Sequence, residues 1–423
     1  MRKICGISGL ILLAATGSAL ASGYRIPEQS VNSVARAGGY VAYTPGADST
    51  YYNPANMAWQ ENRFLLEADA TWIHLTSVNY TDYRSPTLNG TSEHENFFMP
   101  TFFAVSPDYN NFRFGLSFTA PAGLAKKWHD PHPRTYAEEF SLKIFEINPT
   151  VAYRFNDKVS IGAGVRAVYV DGTVRSNGDV SGGMGIMASR DMDGDAWAYG
   201  YNLALSIRPV DKLNIGLTYR SKVNLGVEGH ANLNTNLHNL PYPPYSPIPN
   251  TLSTDAAVDL PLPAVLALAV SYTFFDQLTV ELGYERTYWS SLDSLDFTYP
   301  TTLTNPAWAG FGPVRKSWSD TNTWRLSLTY DMKNNWVLMA GFAIDENPAP
   351  DSTLSYELPD ADALLFSLGV RYKINKDMEV GLAYLFDDKE SRSVSNDPLH
   401  YGVNGKFENE AAHLVTIGFS YNF

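Results

Sequence analysis

The chain has 423 residues, 13% of them aromatic, and a formal net charge of −13 at pH 7. This acidic balance argues against nucleic acid as a partner, because a phosphate backbone attracts basic proteins. After the N-terminal segment no stretch has the length and apolar character of a membrane-spanning helix, which needs about 20 residues, yet the abundance of Tyr, Trp and Gly is typical of strands that face lipid.

Residues 1–21 have the pattern of a secretory signal peptide. Arg2 and Lys3 are followed by an apolar run, and Ala19-Leu20-Ala21 has the small residues that a signal peptidase recognises. Removal of this segment takes the net charge from −13 to −15 and removes Cys5, the only cysteine. A mature exported chain therefore has no disulfide framework.

Residues 22–62 differ from the rest of the chain because apolar and polar residues do not alternate there. A short helical pattern begins near Ser30 and ends at Gly38 and Gly39. The segment is rich in Tyr and poor in charge, whereas a disordered tail is usually charged and poor in aromatic residues. We therefore expect residues 22–62 to form a hatch, or plug, rather than a periplasmic tail.

Residues 63–423 contain about fourteen segments with strand-like alternation. Within 196–208, Trp197, Tyr199 and Tyr201 fall on one face and small or polar residues on the other. A single strand of this kind would fit either a soluble β-sandwich or a membrane barrel. The choice between these two folds therefore depends on the whole set of segments. The segments lie near 63–79, 96–106, 111–120, 145–155, 158–171, 196–208, 212–225, 260–273, 277–289, 321–331, 335–345, 363–373, 377–387 and 411–423.

The connections between these segments alternate in length. Short links rich in Asn and Asp, which suit tight turns, alternate with long loops near 80–95, 121–144, 172–195, 226–259, 290–320, 346–362 and 388–410. This rhythm is typical of outer-membrane barrels, whose periplasmic turns are short. The sequence predicts an all-β fold, a 14-stranded antiparallel transmembrane barrel of a Gram-negative outer membrane, with both termini periplasmic and Phe423 closing the last strand.

Several stretches resemble the FadL-type outer-membrane transporters of long-chain fatty acids and other hydrophobic compounds. The resemblance begins with an Asn-Pro-Ala box in the hatch, Tyr52-Asn53-Pro54-Ala55-Asn56-Met57. It continues in order with Ala120-Pro121-Ala122-Gly123-Leu124, Asn148-Pro149-Thr150-Val151, Gly194-Asp195-Ala196-Trp197 and Leu358-Pro359-Asp360-Ala361-Asp362. It implies a plugged 14-stranded barrel that works passively. The resemblance also implies the route: ligand would pass from the lipopolysaccharide layer through a loop groove to a pocket above the hatch, and would leave sideways at a kink in the third strand.

The resemblance also implies positions for the gate. Asn53, Pro54 and Ala55 would be the hatch gate, beside the kink. Pro121 and Gly123 are the kink candidates, since Pro cannot donate a hydrogen bond to a neighbouring strand. The alternative is that Pro121 merely begins a loop.

Three lumen arginines are candidates for binding a ligand carboxylate. Alternation places Arg166, Arg220 and Arg325 inward and well within their strands, and a carboxylate is bound well by Arg. They would equally well pair with lumen acids such as Glu281. Where the family's carboxylate motif would fall, the chain reads Val170-Asp171-Gly172-Thr173, which leaves an aromatic hydrocarbon or alkane as an alternative ligand.

Apolar loop residues are candidates for the entrance groove, because exposed apolar patches often bind ligands. They are Leu124, Trp128, Leu240, Tyr242 and Tyr245. The alternative is that these side chains cover one another.

Other functional classes have less support. We expect no cofactor and no metal, since Asp191, Asp193 and Asp195 are not followed by the Gly and Glu of a calcium loop. An outer-membrane lipase is an alternative class, but no serine–histidine pair is expected. A general porin is a third, although an open pore has no use for a plug. The predicted partners are a hydrophobic small molecule, outer-membrane lipid and lipopolysaccharide, and we expect a monomer that is not an enzyme.

Overall fold

The computed structural model describes residues 23–237, 248–395 and 402–423, in which fourteen antiparallel strands close into a barrel. The signal-peptide prediction lies outside these residues. The barrel strands are β1 Leu65–Leu75, β2 Glu95–Val105, β3 Phe112–Lys127, β4 Glu139–Arg154, β5 Val159–Asp179, β6 Met187–Ile207, β7 Leu213–Arg220, β8 Val265–Phe274, β9 Leu278–Thr287, β10 Thr321–Asp331, β11 Trp336–Asp345, β12 Ala363–Lys373, β13 Met378–Lys389 and β14 Ala411–Asn422. Leu65 of β1 lies opposite Val105 of β2 and Asn422 of β14, which closes the barrel. The predicted fold class is confirmed.

The two faces of the strands have the character that the alternation predicts. On β6, Trp197, Tyr199 and Tyr201 are at least half exposed on the outer face, while Asn202 and Ser206 are buried on the inner face. An outward apolar face and an inward polar one are what a lipid-facing barrel requires.

Short and long connections alternate along the chain. Six tight turns lie at one end of the barrel, where Phe64 and Phe423 exchange backbone hydrogen bonds, so both ends of the barrel chain are at the short-turn end. Left-handed backbone angles shape several of these turns, for example at Asn110 and Asn111, and Asn tolerates this conformation well.

Three predicted loops are largely strand, so loop predictions 121–144, 172–195 and 226–259 are wrong over much of their length. β3 and β4 enclose only a short link, β5 and β6 extend to Asp179 and from Met187, and two more strands, Val223–Thr235 and Thr251–Leu262, continue the wall beyond β7 and β8. The apolar alternation ends where the strands leave the lipid, while backbone pairing continues among polar residues.

The long-loop end is covered by packed loops. Trp128, Tyr356 and Phe407 form part of a buried aromatic cluster there. The remaining elements are helix Pro131–Ala137, strands Asn79–Asp82, Gly90–Thr91, Ser294–Thr298, Val314–Arg315, Arg392–Val394 and Gly405–Glu408, and 3-10 turns Pro86–Leu88, Trp289–Ser291, Pro306–Phe311 and Asp351–Thr353. In the described ranges, no helix is long and apolar enough to cross a membrane.

Residues 23–62 lie within the barrel lumen. They form helices Val31–Val34 and Ser49–Tyr52 and the 3-10 helix Pro54–Trp59. The first helix is capped by the Ser30 hydroxyl, which accepts a hydrogen bond from the Ser33 amide. The predicted helical pattern is therefore one short turn of helix, and Gly38, with a positive φ of 73°, follows it.

Candidate functional site

Buried polar groups of the barrel wall hold the hatch in the lumen. Glu281 accepts hydrogen bonds from the amides of Val41, Ala42 and Tyr43 at 2.6–2.9 Å. Arg371 donates to Asn32 Oδ1 at 2.7 Å and pairs with Glu67. These bonds satisfy polar groups of the hatch that are buried or partly buried, and they fix the position of the hatch.

The Asn-Pro-Ala box packs against the inner face of β5. Asn53 donates to Val41 O at 2.9 Å and accepts from the Ala55 amide at 3.2 Å, while Ser160 donates to Ala55 O at 2.9 Å. A Cβ on Gly162 would lie 2.5 Å from the Ala55 nitrogen, so only glycine fits beneath the box. The small residues of β5 leave the space that the box occupies, and the position of the box beside the kink stays a prediction.

The third strand contains an irregularity that opens the barrel wall. The pairing of β3 with β4 shifts register between Thr119 and Ala122. The β2–β3 ladder extends only from Phe102 to Val105 on β2, so within the described chain the rest of β2 is unpaired on that side. Pro121 therefore lies inside a strand and does not begin a loop, and Gly123 lies two residues farther along the same strand.

Hatch residues 24–29 cover this opening from inside. Gln29 joins Ala120 by two hydrogen bonds, from its side-chain amide to the carbonyl at 2.9 Å and from the Ala120 amide to its side-chain oxygen at 2.8 Å. The Ile26 amide donates to Pro121 O and the Gly123 amide to Tyr24 O, both at 2.9 Å. The hatch thus supplies the partners that β2 does not provide. The sequence analysis did not identify residues 24–29 as part of the site, because apolar and polar residues do not alternate in the hatch and no other pattern marks these positions.

A cavity of about 290 Å³ lies between the hatch and the opening. One part is apolar, with walls that include Ile26, Ile73, Met99, Ala120, Leu385 and Leu414. Charged side chains also line it, among them Lys126, Asp387, Lys389 and Glu410. An apolar slot with a few polar groups is the usual form of a site for an amphipathic small molecule.

Nearly the whole chain matches one protein family. The sequence profile of the outer membrane protein transport proteins (OMPP1/FadL/TodX) matches residues 12–423. The chain belongs to this family. The resemblance based on the Asn-Pro-Ala box is therefore confirmed, and the barrel is that of an outer-membrane protein, as predicted for a Gram-negative cell.

Relatives and solved structures extend over nearly the full length of this OMPP1/FadL/TodX protein. A long-chain fatty acid transport protein of Escherichia coli O6:H1 is 26% identical, over 96% of this chain and 95% of its own. Outer membrane protein P1 of Haemophilus influenzae is 23% identical, over 97% of each chain. A FadL homologue of Pseudomonas aeruginosa has a TM-score of 0.81 at 20% identity, covering 95% and 99% of the two chains. The Pseudomonas putida toluene transporter TodX has a TM-score of 0.75 at 17% identity, covering 93% and 98%.

The three arginine candidates of this family member are bound to acids. Arg166 Nε lies 2.8 Å from Glu146 Oε2, and Arg220 pairs with the same carboxylate. Arg325 lies 3.4 Å from Glu28 and 3.8 Å from Glu285. None of the three arginines is among the residues that line the cavity. The structure thus favours the alternative in which these arginines pair with lumen acids.

The groove candidates have different environments. Leu124 lines the cavity. Trp128 is completely buried in the loop cluster and donates to Tyr356 O at 2.9 Å, so it presents no surface to an arriving ligand. Leu240, Tyr242 and Tyr245 lie outside the described residues.

Among the described residues, one serine–histidine pair is present, contrary to the sequence expectation. His230 Nε2 lies 2.8 Å from Ser253 Oγ, and His230 Nδ1 lies 3.6 Å from Asp255. The pair was missed because it lies on strands in a region predicted as loop. The side chains of His230 and Asp255 are 47% and 86% exposed, and Ser253 also donates to Asn232. A nucleophilic triad works in a water-excluded site with oxyanion donors, so this exposed arrangement does not support a lipase.

Proposed function

We propose that this protein carries hydrophobic small molecules, above all long-chain fatty acids, passively through the outer membrane. The observation that carries the proposal is the cavity between the hatch and the wall opening at β3. The named function of the fatty acid transport relatives, matched over nearly their full length, supports the same ligand class.

The proposed route ends in lateral release. Ligand from the lipid and lipopolysaccharide at the cell surface enters at the long-loop end and occupies the cavity. It leaves sideways between β2 and β3 once residues 24–29 withdraw. Phe98, which lines the cavity and is 70% exposed, lies at this exit. The short-turn end, with both barrel termini, faces the periplasm.

In this scheme Asn53, Pro54 and Ala55 anchor the moving hatch. Asn53 ties the box to Val41, and Ser160 ties it to β5. We infer that the box acts on the exit through the position of the whole hatch. Changing Asn53 and Pro54 together to Ala should reduce uptake while the barrel still assembles; normal uptake by the double variant would remove this role.

An aromatic hydrocarbon or alkane is the second candidate ligand. The apolar walls of the cavity favour it, and the toluene transporters have the same fold. A general porin has less support, because the hatch occupies the lumen. We propose no enzymatic step.

Uptake by cells with and without the gene tests the proposal. Labelled oleate and labelled toluene are supplied separately, and accumulation of oleate that requires the gene is the expected result. Dependence for toluene alone would favour the second candidate. Equal uptake of both compounds by both strains would remove the transport function. Diffusion of small sugars into vesicles that contain the purified protein would instead favour the porin.

A further inference from the structure

Lys126 is a buried cation without a contact partner. It lies near the end of β3, is 3% exposed, and lines the cavity. Among the residues that the structure describes, its ammonium forms no hydrogen bond and no ion pair. Because the ammonium opens into the cavity and contacts no carboxylate there, it is available to an anionic group of a ligand.

The other charged groups around Lys126 are already engaged or lie farther away. Lys389 of β13 contacts Asp360 at 2.8 Å and Glu410 at 3.4 Å. The charges of Glu410 and Glu95 act on Lys126 only from beyond contact distance. These acids favour the protonated ammonium, because opposite charges stabilise each other. They also limit the affinity for an anion.

Two carboxylate oxygens near the same end of the cavity lack partners. Asp387 Oδ1 and Glu410 Oε2 are buried without a hydrogen bond in the described structure. The charged end thus combines a free donor with free acceptors. An ionised carboxylate can accept from the donor only, and the two acceptors are left to water, which donates as well as accepts.

We propose that Lys126 Nζ binds the carboxylate of the transported ligand, and that this contact selects fatty acids over uncharged hydrocarbons. The inference rests on the proposed transport function and identifies the ligand class at its cavity. When the carboxylate of a fatty acid is at Lys126, its hydrocarbon tail lies against Ile26, Met99 and Ala120, next to the opening in the wall. A charge-assisted hydrogen bond in this buried site is stronger than one in water.

The neighbouring lysine provides a matched control. Lys127 is adjacent in sequence but pairs with Glu139 at 3.2 Å and does not line the cavity. Lys126→Met and Lys127→Met make the same chemical change, one inside the site and one outside it. Lys126→Arg keeps the charge.

The test compares binding of oleate and methyl oleate to the purified full-length protein. The two ligands share a tail, and only oleate carries a charge. We expect wild-type protein to prefer oleate, and Lys126→Met to weaken oleate binding at least about tenfold, the loss expected for a hydrogen bond to a charged group. Methyl oleate binding should change less than about twofold, with Lys126→Arg and Lys127→Met close to wild type in both.

The outcomes separate this inference from the proposed function. Wild-type binding of both ligands, with a preference that Lys126→Met leaves intact, would overturn the head-group contact alone. Equal loss of both ligands in Lys126→Met would assign Lys126 a structural role and overturn it too. A wild type that binds neither ligand would overturn both proposals. The wild-type preference is measurable even if Lys126→Met fails to fold, and its absence contradicts the contact.

Discussion

The side-chain amide of Gln29 in the hatch pairs with the backbone N–H and C=O of Ala120 in β3 through two hydrogen bonds, of 2.8 and 2.9 Å. The backbone groups of Ala120 lie where the β2–β3 ladder has ended, and in lipid an unpaired backbone group is strongly unfavourable. One side chain of the hatch therefore takes the place of a neighbouring strand, and opening of the exit requires these bonds to break.

Replacing Gln29 with Leu should loosen the exit while preserving the shape of the side chain. Each backbone group left without a partner is unfavourable by about 1–3 kcal/mol, so the cover over β3 should open more often. We expect amide hydrogen exchange across residues 118–123 to accelerate about tenfold or more.

Gln277→Leu is the matched control for this change. Gln277 donates to Asp331 O at 3.3 Å near a short turn, far along the chain from the hatch contact. Its loss should leave exchange at residues 118–123 unaltered. Unchanged exchange there in Gln29→Leu would show that the cover does not depend on this pair.

Gly162 should be needed for the hatch to pack against β5. An added Cβ would lie 2.5 Å from the Ala55 nitrogen and 2.8 Å from the Pro54 carbonyl carbon, which are backbone atoms that cannot turn aside. Gly162→Ala should therefore displace the box and increase ion conductance of the protein in planar bilayers. At Gly283 the nearest atom to an added Cβ is 3.7 Å away, and Gly283→Ala should conduct like wild type. Equal conductance of the two variants would show that the box does not depend on this contact.

The barrel could be predicted from the sequence because each side chain on the outer face must be apolar to contact lipid, a requirement that acts on every strand separately. An outward side chain such as Trp197 or Tyr199 faces the same surroundings regardless of how the other strands are arranged. The alternation of apolar and polar residues therefore identifies each strand by itself. Above the lipid this constraint ends, and strands through Asp191 and Asp195 were predicted as loop although their backbones pair.

The site was less predictable because its contacts join distant parts of the chain. Gln29 and Ala120 are 91 residues apart, and nothing in either local pattern indicates their pairing. Alternation placed Arg166 inward, but its partner depends on how β4 and β5 align. Lys126 was overlooked because it lies in a stretch predicted as loop.

Glu146 should contribute strongly to stability and little to ligand choice. It is fully buried and pairs with both Arg166 and Arg220. Glu146→Gln leaves two buried cations without their counter-charge, and breaking a buried pair typically destabilises by about 3–5 kcal/mol. We expect a loss of this order in urea unfolding followed by tryptophan fluorescence in lipid vesicles.

Glu139→Gln is the corresponding control at a more exposed position. Glu139 pairs with Lys127 and Arg175, which are 34% and 43% exposed, and exposed ion pairs contribute about 0–1 kcal/mol. Both variants should keep the preference for oleate over methyl oleate. Loss of that preference in Glu146→Gln would show that this ion-pair cluster does contribute to ligand choice.

The loop cover at the long-loop end of the barrel should loosen in acid because of His132. Burial lowers the pKa of His132 from its ordinary 6.5, and its ring packs against Tyr136 and Tyr356. A guanidinium nitrogen of Arg84, 3.4 Å from Nε2, also disfavours a positive charge on the ring, whereas the Gly402 carbonyl oxygen at 3.0 Å offsets part of the effect.

The direction of the pH effect follows from linkage. With a folded-state pKa below 6.5, the opened loops bind a proton more readily than the packed ones, so packing is most stable above pH 6.5 and weakens as the pH falls below it. Hydrogen exchange in the helix Pro131–Ala137, corrected for its intrinsic pH dependence, should therefore increase between pH 7 and pH 5. His132→Phe keeps an aromatic ring but cannot take up the proton, and should remove this increase, whereas the exposed His94→Phe should retain it. An increase that persists in His132→Phe would assign the acid sensitivity to another group.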